Sequence, residues 1–151
     1  MRRLYISKGH SYFGRYGQAP ADHPIIEVDE VECVAGRGLR GDRFFDFKED
    51  YKGQVTFFAW ETYEAICRHL AVTHRSPSAF RRNVLTMGID LNDLVGREFE
   101  MQGVVFRGLE ECRPCAWMEQ AFAPGVHQFL RGRGGLRAAI LTSGVLRAEA
   151  R

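Results

Sequence analysis

Short runs of β-prone residues, separated by turns that contain glycine, recur along nearly the whole of this chain. Residues 25–34 alternate apolar and acidic side chains over much of their length, as in a strand with one buried face. Two pairs of runs are joined by a dipeptide ending in glycine, Gln102-Gly103 and Ser143-Gly144, which predicts two β-hairpins. The predicted strands are 4–7, 25–34, 54–58, 80–86, 98–101, 104–109, 138–142 and 145–147.

Helix signals are fewer. Residues 60–70 place apolar side chains on one stripe at helical spacing, and shorter helices are predicted at 116–122 and 126–130. Asp90 is placed to cap a single turn that ends at Gly96. We therefore predict a mainly β fold, a closed or partly open β-barrel with a few short peripheral helices, because closure removes exposed sheet edges. The 151 residues fit a single domain, residues 1–151.

Composition excludes several classes of function. Lys and Arg total 21 against 19 Asp and Glu, so a net charge of +2 gives no general attraction to nucleic acid. The aromatic-rich stretch 44–60 is interleaved with acidic side chains, which also argues against base stacking. No apolar run is long enough to span a membrane, and the first ten residues lack the apolar core of a signal peptide. We expect a cytoplasmic protein with neither nucleic acid nor membrane as partner.

A C-x-x-C motif is the clearest candidate for chemistry. Cys112 and Cys115 enclose Arg113-Pro114, a charged proline turn that predicts a surface or cleft position. The motif is compatible with a redox disulfide, half of a zinc site, or one reactive thiol with a neighbour. Zinc needs two further ligands, and the five histidines are scattered: His10, His23, His69, His74 and His127. A thioredoxin-type motif expects a strand-to-helix turn inside βαβ units, whereas hairpins are predicted around this one. Ordinary burial is the simpler interpretation for Cys33 and Cys67.

Three basic segments are the second candidate. Residues 40–43 and 131–137 combine arginine with glycine, and Arg81-Arg82-Asn83 leads into a predicted strand, where Arg81 and Asn83 would share one face. Guanidinium groups and glycine amides hold phosphate or carboxylate, although each segment alone is also compatible with a solvated surface or a tight turn. Together with a soft sulfur ligand, they suit a cofactor with a soft metal at one end and a phosphate at the other.

These segments, in this order, resemble the MOSC domain family, named for the C-terminal domain of molybdenum cofactor sulfurases, and in particular its stand-alone bacterial type. The resemblance runs from about residue 26 to the C-terminus. Its matching segments are 36–43, 80–84, 88–96, 111–115 and 133–137. It implies a β-strand-rich, barrel-like fold and a role around the molybdenum cofactor (molybdopterin).

The resemblance also implies roles for individual residues. In the family a cysteine ligates molybdenum or carries sulfur, and basic residues hold the pterin phosphate. Cys115 is thereby the first candidate for the active cysteine and molybdenum ligand, and Cys112 the second. The implied cofactor-binding residues are Arg43, Arg81, Arg82, Asn83, Arg133, Gly134 and Gly135.

Three functions follow as expectations. The first is a molybdenum-dependent oxidoreductase that reduces small N-hydroxylated compounds and takes its electrons from a redox partner protein, since the sequence contains no redox domain. The second is a sulfur carrier in which Cys115 receives a persulfide from a sulfur donor and Cys112 resolves it. The third is a non-enzymatic module for anion binding or docking, in which the cysteines are incidental. No pyridoxal-phosphate domain is present, so cysteine desulfurase activity is not expected.

Overall fold

The computed structural model describes residues 3–9 and 23–150, so that His10, one of the histidines considered as a ligand, lies outside the described residues. The described part of the chain has ten strands, three short α-helices and two 3-10 turns. The strands are β1 (Arg3–Ile6), β2 (Ile26–Val28), β3 (Glu30–Val34), β4 (Gly38–Leu39), β5 (Val55–Ala59), β6 (Val84–Thr86), β7 (Glu98–Met101), β8 (Val104–Glu111), β9 (Leu136–Ile140) and β10 (Gly144–Arg147). The helices are α1 (Trp60–His69), α2 (Trp117–Ala121) and α3 (Val126–Phe129), and the 3-10 turns are Pro77–Phe80 and Leu91–Leu94. The prediction of a mainly β protein with few helices is confirmed.

Seven strands form one mixed sheet in the order β2-β1-β6-β5-β9-β8-β7. The β5–β6 pair is parallel and the other pairs of this sheet are antiparallel. A second, antiparallel sheet has the order β10-β3-β4. Among the described residues the strands form these two sheets and no closed barrel, so the closed version of the prediction is not observed. The partly open version is compatible with the large sheet.

The central strands of the large sheet are buried on both faces. Phe57 and Val84 point into a core shared with the second sheet, whereas Phe58 and Leu85, one residue further along, point into a core under the helices. Successive strand residues face opposite sides, so each face of β5 and β6 needs its own cover. Ile66 of α1 is fully buried in the second core. No helix in the described ranges has the length and apolar character needed to cross a lipid bilayer.

Local signals predicted one hairpin and one capped turn correctly. Gln102 and Gly103 connect β7 to β8 with positive φ angles of 52° and 83°, the conformation that a tight two-residue hairpin requires. The Asp90 carboxylate accepts a hydrogen bond from the Asn92 amide at 3.1 Å, as an N-cap does. Gly96 follows that turn with a φ of 77°.

Two strand predictions were wrong because pairing partners are chosen in three dimensions. The predicted strand 25–34 is interrupted at Asp29, and its halves β2 and β3 join different sheets. The predicted hairpin around Ser143-Gly144 does not form, since β9 pairs with β5 and β8 while β10 pairs with β3. The chain therefore changes sheets at both places where the sequence pattern indicated a continuous element.

Candidate functional site

A cavity of about 310 Å³ lies where the cysteine motif meets the 3-10 turn before β6 and the segment between β4 and β5. Both motif cysteines and four arginines line it. The arginines are Arg43, Arg81, Arg82 and Arg137, and the aromatic lining residues are Phe44, Tyr51, Phe80 and Trp117. The structure thus brings together Cys112, Cys115 and three of the arginines that the sequence predicted as binding residues.

The cysteine motif connects a strand to a helix. β8 ends at Glu111 and α2 begins at Trp117, which agrees with the predicted helix 116–122. The expectation that hairpins surround the motif therefore holds only on its N-terminal side, where β7 and β8 pair. Cys112 is only 5% exposed and donates its amide hydrogen to the Gly135 carbonyl at 2.8 Å. Cys115 is exposed at the outer end of the same loop. The Cys112 backbone is therefore held in the cavity wall with its side chain buried, and Cys115 is open to solvent.

Arg82 fastens the loop that carries the cysteines. Its side chain is buried, and its guanidinium donates hydrogen bonds to three backbone carbonyls, those of Phe80 at 2.9 Å, Gly134 at 3.0 Å and Cys112 at 3.1 Å. A longer contact reaches the Arg113 carbonyl at 3.4 Å. The planar fork of a guanidinium suits several carbonyls at once. Arg82 thus joins the 3-10 turn, the cysteine loop and the segment before β9.

Arg81 does not lie on a strand, as the sequence pattern predicted. It ends the 3-10 turn in the left-handed conformation, with a φ of 57°, and β6 begins only at Val84. Its guanidinium donates to the carbonyls of His23 at 3.0 Å and Gly9 at 3.1 Å, and to the Ser7 hydroxyl at 3.2 Å. The break in the strand turns Arg81 toward the N-terminal segment while keeping it on the cavity wall.

Arg43 lines the cavity and forms a buried ion pair with Asp42. Its guanidinium donates to the Asp42 carboxylate and to the Arg81 carbonyl, both at 3.1 Å. Asp42 in turn accepts the Ser7 amide at 2.9 Å. Burial lowers the pKa of Arg43 below its ordinary value, the Asp42 charge opposes that effect, and the neighbouring Arg82 adds to it. Arginine nevertheless stays charged in proteins, so this wall remains cationic.

Arg137 is a cavity residue of the basic segment 131–137 that was not among the implied cofactor-binding residues. It belongs to β9, its side chain is 31% exposed, and its guanidinium lies 3.7 Å from the Glu110 carboxylate. Burial by itself lowers the pKa of Arg137, but the neighbouring Cys112, Tyr51 and Glu110 outweigh it and raise that pKa. The available sequence signal was its position as the one charged residue of an otherwise apolar strand.

The predicted glycines serve backbone packing. The Gly134 amide donates to the Glu111 carboxylate at 3.2 Å, and a Cβ on Gly134 would lie 2.2 Å from the Cys112 carbonyl oxygen. A Cβ on Gly135 would lie 2.2 Å from the Phe57 carbonyl oxygen. Both positions therefore require glycine for close approach of neighbouring chain segments. Cofactor binding by these two residues stays a prediction.

Two other predicted residues also lie away from the cavity lining. Asn83 is buried, accepts hydrogen bonds from the Thr56 amide and hydroxyl, each at 3.0 Å, and donates to the Tyr5 carbonyl at 3.1 Å. It ties β1, β5 and β6 together. Arg133 is exposed, stacks over the Phe129 ring at 4.5 Å and lines a separate cavity of about 350 Å³. Their predicted binding roles are untested by this placement.

Metal ligands are sparse at the cavity. Within residues 3–9 and 23–150, no group of three or more His, Cys, Asp or Glu side chains is placed to hold a metal ion. A metal bound through Cys115 would therefore take its other ligands from a cofactor, from substrate or from water.

Comparison with known proteins identifies related folds. The family model described as the MOSC domain matches residues 42–151. The solved structure of YuaD from Bacillus subtilis has a TM-score of 0.76 at 18% identity, covering 97% of this chain and 90% of that chain. YiiM from Escherichia coli has a TM-score of 0.65 at 19% identity, covering 99% and 67%. YiiM from Geobacillus stearothermophilus has a TM-score of 0.68 at 12% identity, covering 96% and 69%. These structural likenesses concern the fold alone. None of the curated protein sequences compared with the chain matches it.

Proposed function

The chain belongs to the MOSC domain family, and from that premise we propose that it binds the molybdenum cofactor and reduces N-hydroxylated compounds with electrons from a separate donor protein. The observation that carries the proposal is a single cavity of about 310 Å³ whose wall combines two thiols with four arginines. Thiolate is a soft ligand, and guanidinium is the side chain best suited to a phosphate. The cavity therefore offers both kinds of contact that such a cofactor needs.

The residues present fit this group by their chemistry. Cys115 is the exposed thiol of the cavity and would supply the molybdenum ligand. Arg137 would hold the pterin phosphate, and Arg43 and Arg81 would add positive charge to the same wall, although their guanidinium groups also bind protein acceptors. Arg82 maintains the loop through three backbone carbonyls. When bound, the cofactor supplies a metal that changes oxidation state and carries electrons to the nitrogen–oxygen bond.

Aromatic walls would orient the substrate. Phe44, Tyr51 and Trp117 line the same cavity as the cysteines and present rings that bury a small planar or apolar molecule. Burial raises the pKa of the Tyr51 hydroxyl, an effect that the nearby Arg137 partly opposes. The hydroxyl therefore keeps its proton at neutral pH and would be available to donate a hydrogen bond to substrate.

The decisive experiment is metal and pterin analysis after expression in a host that makes the cofactor. We expect the wild-type protein to retain molybdenum and pterin and Cys115→Ala to lose the metal. Cys67→Ala is the matched control, because Cys67 is half-buried on α1 and is not among the cavity-lining residues. Equal molybdenum in wild type and Cys115→Ala would remove the ligand role. Reductase activity is then tested with an N-hydroxylated aromatic amine and a reduced dye as electron donor.

A persulfide sulfur carrier is the second candidate, favoured by one observation. Ligation of molybdenum needs one cysteine, yet Cys112 lines the same cavity as Cys115. In this function a persulfide donor transfers its outer sulfur to the Cys115 thiolate and leaves as a thiol. Attack of Cys112 on the inner sulfur of the Cys115 persulfide then releases the outer sulfur as sulfide and forms a Cys112–Cys115 disulfide. Incubation with a sulfur donor should raise the mass of the Cys115 peptide by about 32 Da, the mass of one sulfur atom. An unmodified Cys115 under those conditions would exclude this function.

A further inference from the structure

The two cavity cysteines form a C-x-x-C pair whose thiols share one cavity. They lie three residues apart in the turn between β8 and α2, and both line the same cavity. C-x-x-C pairs act as redox groups most familiarly beside βαβ units, whereas here β8 and β9 are antiparallel, so the relevant observation is the cavity that the two thiols share. The other two cysteines have different surroundings. Cys33 is buried in the core between the sheets, and Cys67 packs against the core under the helices.

The two thiols differ in exposure, so they would have different roles in forming a disulfide. Cys115 is exposed and meets reagents from solvent, whereas Cys112, at 5% exposure, is shielded from them. The Cys112 backbone is held by Gly135 and Arg82, at 2.8 Å and 3.1 Å. Cys115 precedes α2 in a stretch without regular structure. Closure of the pair would therefore move the outer end of the loop and leave the inner end in place.

We propose that Cys112 and Cys115 form a reversible disulfide by exchange with an anionic low-molecular-weight disulfide of the oxidised glutathione class. The Cys115 thiolate attacks one sulfur of the reagent, and the first half of the reagent leaves as a thiol. The Cys112 sulfur then attacks the Cys115 sulfur of the mixed disulfide and displaces the second half. Two electrons pass from the protein thiols to the reagent, and the two released thiols take one proton from Cys112 and one from solvent, which replaces the proton that Cys115 lost on ionising.

The charge of the cavity selects the reagent. Arg43, Arg81 and Arg137 line the same wall as the cysteines, so a disulfide that carries carboxylates meets complementary charge there. A neutral disulfide lacks that attraction. The inference rests on the position of the two thiols and not on the proposed function. It has a consequence for that function, because the disulfide removes the thiolate proposed as the molybdenum ligand.

The test uses the full chain purified without cofactor. The reduced protein is equilibrated with oxidised glutathione, free thiols are blocked with iodoacetamide, and tryptic peptides are weighed. Because proline follows Arg113, trypsin leaves both cysteines in the peptide 108–131. We expect that peptide to be unalkylated and lighter by about 2 Da than the reduced peptide, and dithiothreitol to reverse the change. Oxidised glutathione should react faster than the neutral disulfide hydroxyethyl disulfide.

Variants identify the two steps. Cys112→Ser should stop at a glutathione adduct on Cys115, and Cys115→Ser should leave Cys112 unmodified on the same time scale. Cys67→Ser, on α1, should behave as wild type. If Cys112→Ser does not fold, Cys112→Ala replaces it, with circular dichroism as the check.

Two results would overturn the inference. One is a wild-type protein in which both cysteines stay alkylated at every glutathione ratio. The other is a persistent adduct on Cys115 that Cys112 never resolves. Neither result bears on the molybdenum retention experiment, so the two proposals fail separately.

Discussion

The arginines of this cavity divide into those that build it and those that face it. Arg82 is buried, and its guanidinium is engaged by the backbone carbonyls of three segments. Arg137 is about a third exposed and lies beside the Cys112 sulfur. An arginine therefore has a structural role at position 82 and presents its charge to the cavity at position 137. The difference depends on how many of its donors bind other groups of the protein.

Arg82→Lys should destabilise the fold although it preserves the charge. A lysine ammonium presents its donors from one point and does not span three carbonyls, so buried acceptors are left unpaired. We expect a loss of about 2–4 kcal/mol in the free energy of unfolding, measured by urea denaturation. The control is Arg133→Lys at an exposed position, which should change stability by less than about 0.5 kcal/mol. Equal denaturation midpoints for the two variants would contradict a structural role of the Arg82 guanidinium.

We expect ionisation of Cys33 in the unfolded state to lower the free energy of unfolding at alkaline pH. Burial, together with the nearby Glu32 carboxylate, raises the pKa of Cys33 to about 12. The unfolded thiol ionises at about pH 8.5, so the native state holds more protons above that pH. The resulting stabilisation is fully present below about pH 8.5 and is lost as the pH rises toward 12.

Urea denaturation at two pH values tests this linkage. Between about pH 8.5 and about pH 10, wild type should lose about 1–2 kcal/mol more stability than Cys33→Ala. The variant removes the titrating group, and any loss common to both proteins belongs to other residues. Parallel pH profiles for the two proteins would show that Cys33 does not titrate in this way.

At the scale of elements, the entry into β9 decides how the cysteine loop is held. Gly135 has a φ of 106° and passes close to the Phe57 carbonyl of β5, while its own carbonyl accepts the Cys112 amide. One residue thus connects the neighbouring strand and the cysteine loop. A turn made by residues with side chains would separate those segments.

Gly135→Ala and Gly132→Ala form a matched pair. Both glycines have positive φ, at 106° and 77°, so alanine strains the backbone at either position. Only at Gly135 would the new Cβ meet a backbone atom, the Phe57 carbonyl oxygen at 2.2 Å, whereas it meets nothing within 4 Å at Gly132. We expect a loss of about 1 kcal/mol for Gly132→Ala and about 3 kcal/mol or more for Gly135→Ala. Thermal denaturation compares them, and similar melting temperatures would contradict the packing argument.

At the scale of the whole molecule, the cavity is assembled from distant parts of the chain. Arg43 follows β4, Arg81 precedes β6, Cys112 follows β8 and Arg137 lies on β9. Neighbouring strands of the large sheet bring these segments together, since β9 lies between β5 and β8. The positive charge of the cavity is therefore a property of the fold, in a chain whose net charge is only +2.

Arg137→Ala should weaken retention of an anionic cofactor more than Arg133→Ala does. Both are arginines of the same glycine-rich segment, but only Arg137 lines the cysteine cavity. A charge-assisted hydrogen bond contributes about 1.5–3 kcal/mol, so we expect about tenfold or greater loss of bound pterin for Arg137→Ala. Pterin fluorescence of the purified proteins measures it. A greater loss in Arg133→Ala would place the phosphate at the other cavity.

Local signals in the sequence predicted those features that neighbouring residues determine. The helix at Trp60, the capped turn at Asp90 and the hairpin at Gln102-Gly103 each depend on side-chain periodicity or backbone preference within a few residues. The mainly β character follows in the same way. The arginine and cysteine segments were also recognisable, since the residue types themselves indicate anion and soft-metal chemistry.

The tertiary structure alone decided which of those residues meet. The break of the strand before Val84, the sheet change between β9 and β10 and the selection of Arg137 in place of Arg133 for the cavity depend on contacts between residues far apart in sequence. A pattern in the chain indicates which face of a strand is buried, but it does not specify which other strand will pair with it. Amino-acid sequence thus determined the types of element and the chemical groups available, and long-range pairing determined their assembly into one cationic, thiol-lined cavity, because hydrogen bonds between strands form across space.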